Sequence, residues 1–443
     1  MKMTKLTKYL AGFSALALAT TTYADVTVNI TGATAFRAAT LQSIKAKYAA
    51  ATTPLFKFAH DQATAGGTTY TGATRAIFIG NFPGVSGTTT VRCCFTGSVE
   101  GIRALVPVTD PLPPTYYPSS VLAATTATAG GAELANAGSA GLATDTSHIA
   151  FSDVSKAATP YSGYSLLPAS PNAGVIVFTM LTNEGSTITN VTSQQFRALL
   201  TNGYQPLSLF TGNAGDTTNV FATGRNDGSG TRTTYLAETG FGIANAVKQY
   251  VTNESTSTTL TTIQLVPAGG LNAPALTGQS ASNASTVWGQ DVAGNGGYNS
   301  GSTLRTDMGK TGASVTVLDE TGADAFGGPV RADLVTWLSV SDAVSARGNG
   351  AAFCAYNGVK LDDIAASGST MSAADKAKVT EGRYTAWGYE RMYRRNDITS
   401  GDALTVYDAI KAAIPANLGS AGIALTDMHV GRATDGGVIG SNN

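Results

Sequence analysis

Residues 220–238 read VFATGRNDGSGTRTTYLAE, which is the most informative stretch of the sequence. It starts with the apolar strand 220–223, turns tightly at 227–230 and continues as a helix over 231–238. The first backbone amides of a helix have no partner within the helix, and the helix dipole is positive at that end. A strand, a turn of small residues and a helix in this order therefore predict a cradle for an anion.

The same construction recurs near the start of the chain. Val26, Val28 and Ile30 alternate with polar residues, which is typical of a strand. A turn follows, and its Thr34 is suited to cap the predicted helix over 35–51. This junction offers a second set of amides and hydroxyls to an anion.

A third junction lies at 91–105, where a strand leads through the turn 96–98 into a helix. A further strand, 148–151, ends in Ser152 and Asp153. The three junctions can converge on one ligand.

Strands and helices alternate along most of the chain. The apolar run 174–180 predicts a buried central strand, and Thr192 with Gln195 forms a capping box that opens the helix 194–200. The alternation predicts an α/β fold with mostly parallel sheets. The elements predicted in the C-terminal third are 333–341, a helix from Ser372, a strand at 384–394 and a helix over 404–414.

Length and composition bound the class of protein. With 443 residues, two domains or one domain with large insertions are expected. Apolar residues make up 43%, which excludes a disordered chain. The 28 Lys and Arg against 29 Asp and Glu leave no basic excess, so nucleic acid is not an expected partner. Segment 106–145 is predicted to be a surface insertion, and 252–262 and 269–302 are turn-rich.

Residues 1–24 have the pattern of a secretory signal peptide. Three lysines precede the apolar run 10–19 and small residues follow it, which predicts cleavage before Asp25. The apolar run is too short for a membrane span, so we expect an exported, soluble protein, periplasmic or secreted.

The cysteines and histidines indicate neither a metal site nor an enzyme. Cys93, Cys94 and Cys354 are interpreted as buried or bridged structural residues, and a disulfide from Cys354 to either of the others is left open. The three histidines stand at no metal-ligand spacing, and no Gly-x-Ser-x-Gly nucleophile elbow occurs. We predict no metal, no cofactor and no catalytic residue.

Segment 224–231 closely resembles the Arg-x-Asp-Gly-Ser-Gly-Thr segment of the phosphate-binding proteins that serve phosphate ABC transporters. The resemblance implies a periplasmic-binding-protein fold of class II type, with two lobes, each a mostly parallel sheet flanked by helices, joined by two crossing hinge strands. The weaker matches follow in the order of that family and are 31–36, Gly97-Ser98 with Gly101, 151–153, 174–176 and the Gly/Asn turn 296–301.

The resemblance also implies a set of ligand-binding residues. Arg225 would make charge-assisted contacts to phosphate oxygens, Ser98 would donate a hydrogen bond, and Asp153 would accept one from a protonated phosphate oxygen. Thr34 and the amide of Ala35 are equal candidates, because the first turn is one residue shorter than in the family. The implied residues are Thr34, Ala35, Ser98, Asp153, Arg225, Ser229, Gly230 and Thr231.

The chemistry of these residue types agrees with that role. A small dianion is held best by many short donors, with Arg supplying a planar fork. A carboxylate accepts a hydrogen bond from a protonated phosphate oxygen but repels fully ionised sulfate, which offers no proton. Asp153 is therefore the expected selectivity residue and Arg225 the expected affinity residue. Asp227 is interpreted as structural, orienting the turn or pairing with Arg225, and helix capping is the alternative for Thr34, Ser98 and Asp153.

The resemblance implies a monomeric solute-binding protein that takes inorganic phosphate between two lobes, 25–173 with 385–443 and 174–384, and delivers it to an ABC transporter permease. The alternative is a surface or matrix structural protein that reuses this fold with a weakened pocket. The Ala/Thr/Gly-rich insertions and the low charged content of 13% motivate this alternative. An exported phosphatase-like enzyme is a third hypothesis.

Overall fold

A computed structural model of the chain describes residues 25–110, 113–252, 258–268, 281–282, 288–361, 371–419 and 422–442. The predicted signal peptide at 1–24 lies outside the described residues. Parts of the segments 106–145, 252–262 and 269–302 lie outside them as well.

The strands form the sheets, and the helices flank them. The strands are β1 Val26–Gly32, β2 Phe56–His60, β3 Arg75–Gly80, β4 Thr89–Cys94, β5 Thr115–Tyr116, β6 Ala132–Leu134, β7 Ala143–Thr144, β8 Ile149–Ser152, β9 Asn172–Thr182, β10 Asn190–Val191, β11 Tyr204–Pro206, β12 Asn219–Ala222, β13 Tyr250–Thr252, β14 Thr262–Leu265, β15 Ala281–Ser282, β16 Gly297–Tyr298, β17 Thr316–Leu318, β18 Ala332–Ser339, β19 Ala352–Tyr356, β20 Trp387–Arg394, β21 Gly422–Ile423, β22 Val430–Gly431 and β23 Gly440–Ser441. The helices are α1 Arg37–Ala49, α2 Ser98–Arg103, α3 Ser193–Asn202, α4 Ser208–Thr211, α5 Gly230–Glu238, α6 Gly301–Met308, α7 Val340–Gly348, α8 Ala373–Thr380 and α9 Asp402–Ala413.

One long sheet runs in the order β11-β12-β18-β9-β20-β8-β1-β4-β3-β2-β6. The two strands predicted to cross, β9 and β20, are antiparallel neighbours at its middle, with Trp387 opposite Val177. Strands from the first 152 residues lie on one side of this pair, and strands from 204–339 lie on the other. The predicted α/β fold is confirmed, and its long sheet combines parallel with antiparallel pairs of strands.

Parallel pairing occurs where the predicted junctions lie. β1 is parallel to both β4 and β8, and β12 is parallel to β18. Because the carboxyl ends of parallel strands meet at one edge, the turns after β1 and β4 and the end of β8 come together. All three junctions have the predicted order of strand, turn and helix.

Local sequence signals explain most of these elements. The β9 strand is buried over nearly its whole length, as its apolar run predicts for a central strand. The predicted capping box forms at the start of α3, where Thr192 and Gln195 bond each other's backbone amides. Ser372 caps α8 by accepting a hydrogen bond from the amide of Asp375.

The predicted surface insertion at 106–145 is only partly at the surface. Its strand β6 pairs with β2 and extends the edge of the long sheet. Tyr116, Tyr117 and Leu122 are at most 1% exposed. Isolated large side chains in a turn-rich segment have no periodicity, which is why the sequence does not reveal that they are buried.

The cysteines are free and buried, with Cys93 and Cys94 on β4 and Cys354 on β19. The interpretation as buried structural residues is confirmed, and the disulfide that the sequence left open is not formed. In the part of the chain that the structure describes, no helix is both long and apolar enough to cross a membrane.

Candidate anion-binding site

The turn between β12 and α5 places the Arg225 guanidinium in the interior, where the residue is 2% exposed. Its Nε donates to the carbonyl of Tyr298 at 3.0 Å, and its Nη2 donates to the carbonyl of Asn299 at 2.9 Å. Its Nη1 donates to Thr34 Oγ1 at 3.2 Å. The Gly/Asn turn therefore fixes the guanidinium plane, and one edge of that plane faces the turn after β1.

The side chain of Gln249 holds the backbone of the same turn in place. Gln249 Nε2 donates to the carbonyls of Arg225 at 3.2 Å and Gly296 at 3.0 Å. Helix α5 then begins at Gly230, and the hydroxyl of its N-cap residue Ser229 makes no capping hydrogen bond. The first amides of α5 are thus left for a partner outside the helix.

Ser98 and Asp153 come from the other two strand ends and contact each other. The Ser98 hydroxyl donates to Asp153 Oδ1, and the Asp153 amide donates to Ser98 Oγ at 3.3 Å. Both residues are 1% exposed. The start of α2 also contacts the Arg225 turn, because the Val99 amide donates to the carbonyl of Gly228 at 3.1 Å.

Gly230 brings this pair against the start of α5. A Cβ atom at Gly230 would overlap both Asp153 Oδ1 and Ser98 Oγ, so only glycine allows the approach. Stretches that lie far apart in the sequence therefore come into contact at the start of α5.

A substitution tests this close approach. We expect Gly230→Ala to lower the free energy of unfolding by about 1–3 kcal/mol, because the added methyl group overpacks a buried contact. Urea unfolding measures the change. Gly163→Ala is the control, since a Cβ atom there meets nothing within 4 Å. Equal stability of the two variants would show that α5 and the Ser98–Asp153 pair are not in tight contact.

Burial sets the electrostatics of the site. It raises the pKa of Asp153 from its usual 3.8 to about 6, although the Ser98 hydrogen bond and the charge of Arg225 oppose the rise. Burial also lowers the pKa of Arg225 to about 10, against the opposing charges of Asp342 and Asp153. Both groups are therefore poorly hydrated, so a ligand that contacts them has little water to displace.

A second buried carboxyl, Glu390, lies beside Asp153 and is not among the site residues predicted from the sequence. Glu390 is fully buried at a bulge in β20 opposite the end of β8. Burial, and then the charge of Asp153, raise the pKa of Glu390 well above its usual range. An acidic residue inside a predicted crossing strand was the available signal, because strands of this kind are otherwise apolar.

The structure brings the predicted site residues together. Thr34 does not cap α1, whose N-cap is Phe36, and its hydroxyl instead accepts from Arg225. Ala35 lies next to it on the wall of a cleft. Asp227 is buried near Arg232. Among the described residues, no three His, Cys, Asp or Glu side chains group as a metal site. Five of the predicted residues with side chains are each at most 3% exposed, namely Ser98, Asp153, Arg225, Ser229 and Thr231.

Comparisons with known proteins give likeness of fold only. No family model matches the chain, and no curated protein matches it. A protein from Clostridium perfringens assigned provisionally as a phosphate ABC transporter substrate-binding protein, solved with bound phosphate, is 12% identical, with a TM-score of 0.43 over 90% of this chain and 99% of that chain. An ABC-type phosphate transport receptor from Vibrio cholerae is 11% identical, with a TM-score of 0.42 over 90% and 99%. A phosphate binding protein from Stenotrophomonas maltophilia is 12% identical, with a TM-score of 0.32 over 94% and 87%. At these values the likeness carries no argument about function, which has to come from the geometry of the site.

Proposed function

We propose that this chain is a solute-binding protein that holds a tetrahedral oxyanion, inorganic phosphate first among them, at the site around Arg225. The observation that carries the proposal is the meeting of Arg225, Ser98, Asp153 and the start of α5 in one buried place. These groups supply one guanidinium, short hydroxyl donors and free helix amides. They are the donors that a dehydrated dianion requires.

The buried carboxyls support selection for a protonated anion. At neutral pH an ionised Asp153 accepts a hydrogen bond from the proton of a phosphate, whereas sulfate offers no proton and is repelled. Burial and the charge of Asp153 raise the pKa of Glu390 well above its usual range, which favours its neutral form and limits the negative charge beside the ligand. The site thus attracts anions through its donors, and its one ionised acceptor, Asp153, favours an anion that carries a proton.

The remaining parts of the proposal follow from the sequence and from the sheet order. The segments 25–173 with 385–443 and 174–384 would form the two lobes, with β9 and β20 as the hinge between them. An anion that contacts both Thr34 and Ser229 would hold the lobes closed. Export, and delivery to an ABC transporter permease, complete this proposal.

A panel of oxyanions tests the proposed function. We expect phosphate to raise the melting temperature of the purified protein and to bind more tightly than sulfate in calorimetry at about pH 7.5, because Asp153 is then ionised. The preference for phosphate should narrow as the pH falls through about 6, the pKa of Asp153, because the protonated carboxyl no longer repels sulfate. Absence of any shift with phosphate, arsenate, sulfate or tungstate would contradict the proposal. Filaments seen by electron microscopy would then favour a structural protein.

A further inference from the structure

A cleft of about 280 Å³ opens beside the site around Arg225. Thr34 and Ala35 line one side of it, and Arg305 and Asp342 line the other. Because Thr34 also accepts the hydrogen bond from Arg225, the cleft and the anion site share a wall. Pockets that hold small organic ligands begin at about 300 Å³, so the cleft is close to that size.

Arg37 is the unusual side chain of this cleft. It is the first residue of α1, on the helix face that Leu41 and Ile44 bury in the core, and it is 8% exposed. Among the described residues, its guanidinium makes neither a hydrogen bond nor an ion pair. A buried cation without a partner is costly, so its retention inside a cleft points to an anionic group that occupies the cleft.

The other charges of the cleft leave Arg37 in excess. Asp342 Oδ1 accepts from Arg305 Nη1 at 3.0 Å, so these two charges offset each other. Burial, and then the charge of Arg305, lower the pKa of Arg37, and the charges of Asp342 and Asp61 oppose this lowering only in part. The charge of Arg37 also reaches Arg225, whose pKa it helps to lower. One uncompensated positive charge therefore lies near the anion site, on the side where the cleft opens.

We propose that this cleft is a second subsite, where Arg37 binds a second anionic group of a small phosphate compound whose phosphoryl end occupies the site around Arg225. The second group is a carboxylate or a phosphoryl group, because a guanidinium fork binds either of them. Gln42 and Thr68, on the same wall as Arg37, add polar side chains for it. The inference rests on the proposed function and narrows the ligand class to phosphorylated organic acids and diphosphate.

Calorimetry with four probes tests the subsite. The probes are orthophosphate, methyl phosphate, inorganic diphosphate and 2-phosphoglycolate, which separate a bare ion, a neutral substituent, a second phosphoryl group and a carboxylate. We expect diphosphate or 2-phosphoglycolate to bind at least ~10-fold more tightly than orthophosphate and methyl phosphate, since a charged hydrogen-bonded pair is gained. Which of the two binds more tightly identifies the second group.

Variants of Arg37 separate this subsite from a general effect of charge. Arg37→Gln should abolish the advantage of the doubly anionic probe, Arg37→Lys should retain part of it, and the control Arg331→Gln should retain all of it. Arg331 pairs with Asp333 outside the cleft. An equal affinity for all four probes, or an unchanged ratio in Arg37→Gln, would overturn the inference. If orthophosphate itself does not bind, the proposed function fails instead.

Discussion

Replacing Arg225 with Gln is expected to weaken phosphate binding by at least ~100-fold. The substitution removes the buried guanidinium, so the bound phosphate loses both its positively charged partner and the hydrogen bonds from it. The guanidinium is nearly fully buried, and the carbonyls of Tyr298 and Asn299 hold it in place. Gln keeps a hydrogen-bond donor but carries no charge. Most of the loss should therefore come from electrostatics rather than from misfolding.

Calorimetry measures the affinity, and circular dichroism with thermal melting checks that Arg225→Gln is folded. Arg331→Gln is the matched control, since it removes the same charge from a guanidinium that pairs with Asp333 and is 38% exposed. The control should bind phosphate as the original chain does. A folded Arg225→Gln variant with unchanged affinity would remove Arg225 from the site.

Local signals in the sequence predict much of this arrangement. Each of the three junctions is encoded by a short stretch of sequence, in which apolar alternation predicts the strand and small residues predict the turn. The capping box of α3 and the apolar run of β9 are also local, and the structure has both. Turn chemistry depends on neighbouring residues only, which is why the junctions could be predicted from the sequence. The individual ligand-binding residues are implied by the resemblance of segment 224–231 and of the weaker matches, not by turn chemistry.

The long-range features of the site have no such local signal. Tyr298 and Asn299 hold Arg225 through their backbone carbonyls. Every residue type has a backbone carbonyl, so the sequence does not reveal these contacts. The lack of a partner for Arg37 is a property of the packed structure. A signal existed nonetheless, because Arg37 shares a helix face with Leu41 and Ile44, where an apolar residue is the usual choice.

Replacing Asp153 with Asn is expected to stabilise the unliganded protein while it impairs binding. The carboxyl is 1% exposed and its pKa is raised to about 6. Between about pH 4 and pH 6 the unfolded chain releases this proton and the folded chain keeps it, so the free energy of unfolding falls as the pH rises. At about pH 7.5 the neutral Asn should restore about 2–3 kcal/mol, and near pH 4 the gain should vanish.

The same substitution should narrow the preference for phosphate over sulfate by about 10-fold or more, because the acceptor that repels sulfate is gone. Urea unfolding at both pH values and calorimetry with both anions measure the two effects. Asp319→Asn is the control, since hydrogen bonds from Thr321 and the Ala323 amide lower the pKa of that exposed carboxylate, and its loss should not stabilise the chain. If Asp153 is kept for binding at the expense of stability, Asp153→Asn should raise the free energy of unfolding and lower the preference for phosphate over sulfate. A loss of stability together with unchanged selectivity would instead make Asp153 a structural residue that holds Ser98.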